Sequence, residues 1–275
     1  MPGPLDGHRI LVTGAGSGIG RALAIEASKR GASLCLCGRR SEPLFETRAQ
    51  LDPRSAHLIV AADIASETGR VRVADHIAAS WGALDLLVNN AGVIKAGRLE
   101  DMGADEIVEM MATNITGPIL LTRELMGLLT MGRAPRIVNV GSMLGEIPFS
   151  NFAAYSASKA AMKGFSVAMR RELMVRNIGV TYATPRTTAT QSVAQHATGG
   201  KVDSPERVAA RIWGGVQRQQ DHVYPSMTER LFMLLQMVAP KTVDRAVTTI
   251  VNSVASMPPN TQQKKRSEVQ SHARH

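Results

Sequence analysis

Nothing in this sequence reads as disulfide material, a membrane span or a secretory leader. Its 275 residues include only two cysteines, Cys35 and Cys37, both in one short apolar run. Two apart on a strand they point to one face, in a geometry that suits neither a disulfide nor a complete metal site. They read as small buried hydrophobes of a reducing compartment. No apolar run approaches the ~20 residues that cross a bilayer. The start, Met1-Pro2-Gly3-Pro4, lacks the basic and apolar regions of a signal peptide. These absences predict a cytoplasmic protein. Helix–turn–helix, zinc-finger spacing and aromatic-studded basic strands are missing too. The formal charge of +9 is scattered, apart from Lys264-Lys265-Arg266 and Arg274 near the end, so it reads as solvated surface with no nucleic-acid partner.

What is present is an ordinary globular composition, 44% hydrophobic and 20% charged, which excludes a disordered chain. Apolar strand-like runs alternate with longer helical stretches. That order predicts an α/β fold with a parallel sheet and helices on both faces. The strand candidates are 9–13, 33–37, 57–61, 84–88, 136–140, 178–182 and a short 222–224. Most are near-continuously apolar, as expected of strands buried on both faces. Helical stretches include 18–30, 66–81 and a long 104–131. No repeat, linker or composition shift divides the chain, so one domain is expected over 1–257, with a polar, disordered tail over 258–275. Residues 226–257 form a helical extension of two patterns separated by Pro240, the second placing Val243, Val247, Ile250, Val251 and Val254 on one face.

Between the first strand and the first helix runs Thr13-Gly14-Ala15-Gly16-Ser17-Gly18-Ile19-Gly20. Glycines there let the backbone turn and approach a ligand, while the helix start offers free N–H groups and a positive dipole end to a pyrophosphate. Strand two ends Leu36-Cys37-Gly38-Arg39-Arg40. Folds that prefer NAD carry a carboxylate at that end. Here Gly38 holds the acidic position and arginines follow, which suits a 2′-phosphate and favours NADP(H) over NAD(H).

The most specific pattern is Tyr155-Ser-Ala-Ser-Lys159 in a helical run, which puts Tyr155 and Lys159 on one face. A phenol titrates near pH 10, and a neighbouring ammonium is expected to lower that value towards the working range. Ser142 lies thirteen positions earlier, just past a strand end, where an α/β sheet presents reactive groups. Asn89-Asn90-Ala91-Gly92 ends another strand, and Asn114 sits in the long helix between them.

In these residues and their order, the chain resembles the short-chain dehydrogenase/reductase family over roughly residues 7–225. The resemblance implies a doubly wound, Rossmann-type sheet of seven strands and an Asn114–Ser142–Tyr155–Lys159 tetrad. It implies Tyr155 as acid/base, Ser142 orienting the substrate oxygen, Lys159 on the nicotinamide ribose, and Asn114 holding a relay water. The implied cofactor contacts are Gly14, Ser17, Gly18, Ile19 and Gly20 of the loop, Arg39 and Arg40, Asp63 and Ile64, and Asn90, Ala91 and Gly92. Tyr155, Lys159, Pro185, Thr188 and Thr190 complete them on the nicotinamide side. The reaction implied is NADP(H)-linked interconversion of a carbonyl and a secondary alcohol, in a homodimer or homotetramer.

One departure stands out: Pro185-Arg186 replaces the usual Pro-Gly. Either Arg186 keeps an ordinary backbone and points outward, the favoured reading, or it narrows the nicotinamide site or meets an anionic substrate. The substrate, a small molecule, is not legible from 187–201, with Gln191, Gln195 and His196, nor from Glu146, Ile147, Phe149 and Phe152 beside the tetrad. The apolar stretch 231–238 is expected to pack on its own domain or a second subunit. The alternatives are a catalytically quiet cofactor-binding regulator and an enzyme whose extension lies on a membrane surface.

Overall fold

Alternation inside each apolar run decides how the sheet is sandwiched. In β1 (Arg9–Thr13), Ile10 and Val12 face one core while Leu11 faces the other. In β2 (Ser33–Gly38), Leu34 and Leu36 face the first core, and Cys35 and Cys37 the second. Both faces are dry, which is why the runs read as continuous.

The computed structural model describes residues 4–186, 188 and 202–245. The other strands are β3 (Leu58–Ala61), β4 (Leu86–Asn89), β5 (Arg136–Val140), β6 (Gly179–Ala183) and β7 (His222–Val223). All seven are parallel, in the order β3-β2-β1-β4-β5-β6-β7. The order reverses between β1 and β4, and α/β sheets bind ligands outside the strand ends at such a switch. This is the doubly wound fold the sequence pattern implied.

On one face lie α1 (Gly18–Lys29) and α8 (Pro205–Gln217). Ala22, Ala24 and Ala27 keep α1 narrow, and the fully buried Trp213 of α8 donates its indole N–H to Leu23 O at 3.0 Å. On the other face lie α3 (Glu67–Trp81), α5 (Gly117–Glu124) and α7 (Ala153–Leu173). Smaller helices are α2 (Ser41–Arg48), α4 (Ala104–Met111) and α6 (Met126–Thr130), and α9 (Met227–Val238) follows β7.

The long helix expected over 104–131 is instead three helices. A π-turn over Ala112–Thr116 separates α4 from α5, with Gly117 N–H bonded five residues back to Ala112 O. Such turns widen the ladder to re-aim a side chain, and the one re-aimed here is Asn114. The sheet strands end within one or two residues of their expected limits. The second helix of the extension begins at Pro240 and is described to residue 245, with Val243 buried. Its continuation, with Val247, Ile250, Val251 and Val254, and the tail 258–275 lie outside the described residues. Among the described residues, no helix is long and apolar enough to cross a membrane.

Candidate active site

The glycine loop is bound to the end of β4 through Thr13. Its hydroxyl donates to Val88 O and accepts the N–H groups of Asn90 and Ala91, both at 3.0 Å. The Asn90 amide donates to Thr13 O at 2.9 Å, bracing the same turn. Gly14 has φ +66°. A Cβ on Gly20 would stand 2.1 Å from Gly14 O and 2.5 Å from Asn90 Nδ2, so the loop folds onto the helix start only because Gly20 has none. Ser17 is extended at the N-cap and makes no side-chain cap bond. The first-turn N–H groups of α1 thus have no side-chain partner, as an incoming phosphate requires.

A cleft opens here, lined by Gly14, Ser17, Gly38, Arg39, Arg40, Asp63, Ile64, Ala91 and Gly92. Gly14, Ser17, Arg39, Arg40, Asp63, Ile64, Ala91 and Gly92, expected as cofactor contacts, therefore converge, while Gly18, Ile19, Gly20 and Asn90 do not line this cleft. No carboxylate occupies the end of β2. The Arg39 guanidinium reaches across to Glu109 of α4 at 3.3 Å, an exposed pair, and Arg40 is exposed. Asp63 uses Oδ1 to accept the Ala65 N–H at 2.9 Å.

The second half of the site sits on β5 and α7. Ser142 is extended just past β5 and accepts the Leu144 N–H at 3.1 Å, and its hydroxyl pulls the Tyr155 phenol's pKa down. Lys159, one turn along α7, is 5% exposed and donates to Val140 O at 3.1 Å. Its Nζ lies 5.8 Å from the Tyr155 ring centroid. Gly92 slips between: a Cβ there would lie 3.1 Å from Asn114 Oδ1 and 3.4 Å from Lys159 Nζ. Asn114 clamps Val93, accepting its N–H at 2.8 Å and donating to its carbonyl at 2.9 Å. Asn114 Nδ2 also donates to Ser158 Oγ at 3.0 Å, and Ser158 donates to Tyr155 O at 2.7 Å. The four expected tetrad residues are thus brought together. Thr13 and Ser158 are the linking residues the motif reading did not assign. A threonine before the loop, and a serine on the Tyr–Lys helix facing Asn114, were the available signals.

The electrostatics correct one expectation. Lys159 was expected to lower the Tyr155 pKa. Burial instead pushes the phenol up to about 12, with the Ser142 hydroxyl pulling the other way. Burial also brings Lys159 down to about 8. The ammonium lies 5.8 Å from the ring centroid and donates to Val140 O.

Arg186 resolves the departure after Pro185. Its backbone is not in the left-handed region. Its side chain points neither freely outward nor at a ligand: Nε lies 3.1 Å from Asp203 Oδ2 and Nη1 3.0 Å from Glu229 Oε1 of α9. Pro185 O accepts the Met143 N–H at 3.0 Å, which fixes this corner beside Ser142. Thr188 is buried and donates its hydroxyl to Arg186 O at 2.9 Å. Thr190, Gln191, Gln195 and His196 lie outside the described residues. Glu146 pairs with Lys163 at 2.5 Å, Phe152 is buried, and Phe149 packs towards α9. No cluster of metal-binding side chains occurs among the described residues.

Residues 8–199 match the family model for short chain dehydrogenase. The chain is 31% identical over 200 residues to 3-ketodihydrosphingosine reductase of Mus musculus, covering 70% of this chain and 60% of that protein. It is 34% identical over 166 residues to NADPH-dependent pterin aldehyde reductase of Arabidopsis thaliana, covering 60% and 69%. The chain therefore spans about 60% of the length of the mouse relative. Among solved structures, a short chain dehydrogenase from Burkholderia cenocepacia J2315 in complex with NADP superposes with a TM-score of 0.73 at 28% identity, covering 80% of this chain and 97% of that one. A short chain dehydrogenase/reductase from Burkholderia phymatum in complex with NAD gives 0.79 at 22% identity, covering 87% and 96%.

Proposed function

The chain belongs to the short-chain dehydrogenase family, and from that membership we propose that it reduces a carbonyl to a secondary alcohol with NADPH, Tyr155 donating the proton. The observation that carries the reading is the gathering of Ser142, Tyr155, a buried Lys159 and Asn114 at the carboxyl ends of the strands.

A nicotinamide dinucleotide fits the residues of the cleft. The turn that Gly14 and Gly20 form leaves no side chain over the uncapped start of α1, and Arg39 stands where a 2′-phosphate would lie. When bound, the nicotinamide supplies hydride to the carbonyl carbon. Asp63 and Asn90 would hold the adenosine end, and Lys159 the nicotinamide ribose. The phenol, held protonated far above neutral pH, is ready to give its proton to the oxygen as charge develops there. Ser142 orients that oxygen and adds a second hydrogen bond. Arg39 favours NADPH over NADH. Two relatives named for reducing carbonyl compounds agree with reduction as the direction. NADPH oxidation measured across ketones, aldehydes, quinones, sugars and 3-oxoacyl thioesters tests the reading, and silence on every class would count against it.

One observation favours a second setting for the same chemistry. Met227, Leu231, Leu234, Met237 and Val238 of α9 are each more than half exposed, on a helix only partly packed. Such a face suits the interface of a membrane. Co-sedimentation with anionic phospholipid vesicles that is lost in Leu231→Glu supports it; absence of co-sedimentation in the unmodified protein rejects it.

A further inference from the structure

α9 touches both sides of the site, and it is held there by few contacts. Of its twelve residues only Met233 is buried. Met233 and Phe232 pack with Met143, Ile147 and Phe149, the segment that begins one residue after Ser142. At the other end Glu229 reaches Arg186 at 3.0 Å, in the corner whose Pro185 carbonyl accepts the Met143 N–H. We propose that Arg186 and Glu229 are positioning residues, clasping α9 across the substrate side of the site so that α9 forms an apolar wall for the body of the substrate. The proposal deepens the reductase reading and rests on it.

The clasp is built asymmetrically. Asp203 is 1% exposed and pairs with Arg211 at 3.1 Å as well as with Arg186, and it bridges Thr188 in a short parallel pairing. This end belongs to the rigid body of the fold. Glu229 is carried by α9, with the Ser226 hydroxyl on its second carboxylate oxygen. Arg186 thus joins a fixed carboxylate to a carboxylate on the wall, and a glycine in its place would leave both without it. Two anchors, one ionic and one apolar, hold α9 against the Pro185 corner and against the segment after Ser142, which the Met143 N–H joins to Pro185 O. A carbonyl whose oxygen meets Ser142 and Tyr155 then extends its remaining groups past the face that α9 presents. Met143, Phe149, Phe232 and Met233 make the surroundings apolar, so a long alkyl substituent is favoured over a short one.

The test uses the full chain and the variants Glu229→Gln and Arg186→Lys. Both are assayed with NADPH on methyl nonyl ketone and on butanone, and each is titrated with NADPH alone. Glu229→Gln is expected to raise KM for methyl nonyl ketone about tenfold while kcat, butanone KM and NADPH affinity stay within about twofold. Arg186→Lys, which keeps the charge but cannot reach both carboxylates at once, is expected to raise the same KM about threefold or more. An unchanged KM overturns the proposal, and so does a joint fall of KM performance, kcat, NADPH affinity and Tm, which marks a merely structural pair. If the unmodified protein binds NADPH but reduces neither ketone, the failure lies in the functional reading. Amide exchange then decides the clasp: faster exchange over Met143–Ile147 in Glu229→Gln supports it, and unchanged exchange overturns it.

Discussion

The pH dependence of reduction should be set by Lys159, not by Tyr155. Burial holds Lys159 at about 8 against an ordinary 10.5, a shift that disfavours the buried ammonium by roughly 3 kcal/mol. Tyr155 lies at about 12. As pH rises, the first group to lose its proton is therefore the lysine that would bind the ribose. Because kcat/KM reports the free enzyme, it should be flat near neutrality and fall about tenfold per unit above roughly pH 8. No ascending limb is expected, since the phenol stays protonated throughout. The assay is kcat/KM for NADPH-dependent reduction in buffers of constant ionic strength, for the unmodified enzyme and for Lys159→Arg. The arginine variant keeps its charge and should lose the limb, whatever its absolute rate. A limb that stays in Lys159→Arg, or one that appears only about two units higher, refutes the reasoning.

Three further outcomes follow from the structure. Gly20→Ala drives a Cβ to 2.1 Å from Gly14 O and should weaken NADPH binding about a hundredfold or more. Gly82→Ala, at φ +64° with nothing within 4 Å, should cost about 1 kcal/mol of stability and leave binding intact; equal losses at both sites would argue against a phosphate loop. Arg39→Ala should erode the NADPH-over-NADH preference about tenfold in fluorescence titrations, because one charge-assisted contact is lost; an unchanged ratio removes Arg39 from cofactor selection. His222 is held neutral in the fold: burial, then Lys163, Arg230 and Arg170, pull it from 6.5 to about 4. Its contribution is complete above pH 6.5 and is lost as pH falls towards 4, roughly 3 kcal/mol in urea titrations, and His222→Gln should flatten that slope. An identical slope in the variant would contradict the assignment.

Local chemistry was legible where one residue type meets one constraint. The strands at 9–13 and 136–140 could be read to the residue because both faces of the sheet demand apolar side chains. The glycine loop and the Tyr155–Lys159 spacing are likewise legible, since a missing Cβ and a shared helix face are properties of sequence alone. The π-turn at Asn114 was not, because apolar periodicity runs through it and only the demand to reach Val93 and Ser158 breaks the ladder. Nor was the partner of Arg186, since Asp203 and Glu229 come from later elements that only the tertiary fold delivers. The net upward shift of Tyr155 was not legible for a related reason: helix spacing fixes which face a lysine shares, but not how deeply the phenol and the ammonium are buried.

The most direct measurement is NADPH oxidation by the purified protein and by Tyr155→Phe, on whichever carbonyl the panel identifies, with NADPH binding titrated alongside. Ser142 and Lys159 remain in the variant, so binding should persist while kcat falls about a hundredfold to ten-thousandfold, the contribution of a positioned proton donor. Turnover that survives the loss of the hydroxyl would contradict the assignment of Tyr155 as proton donor.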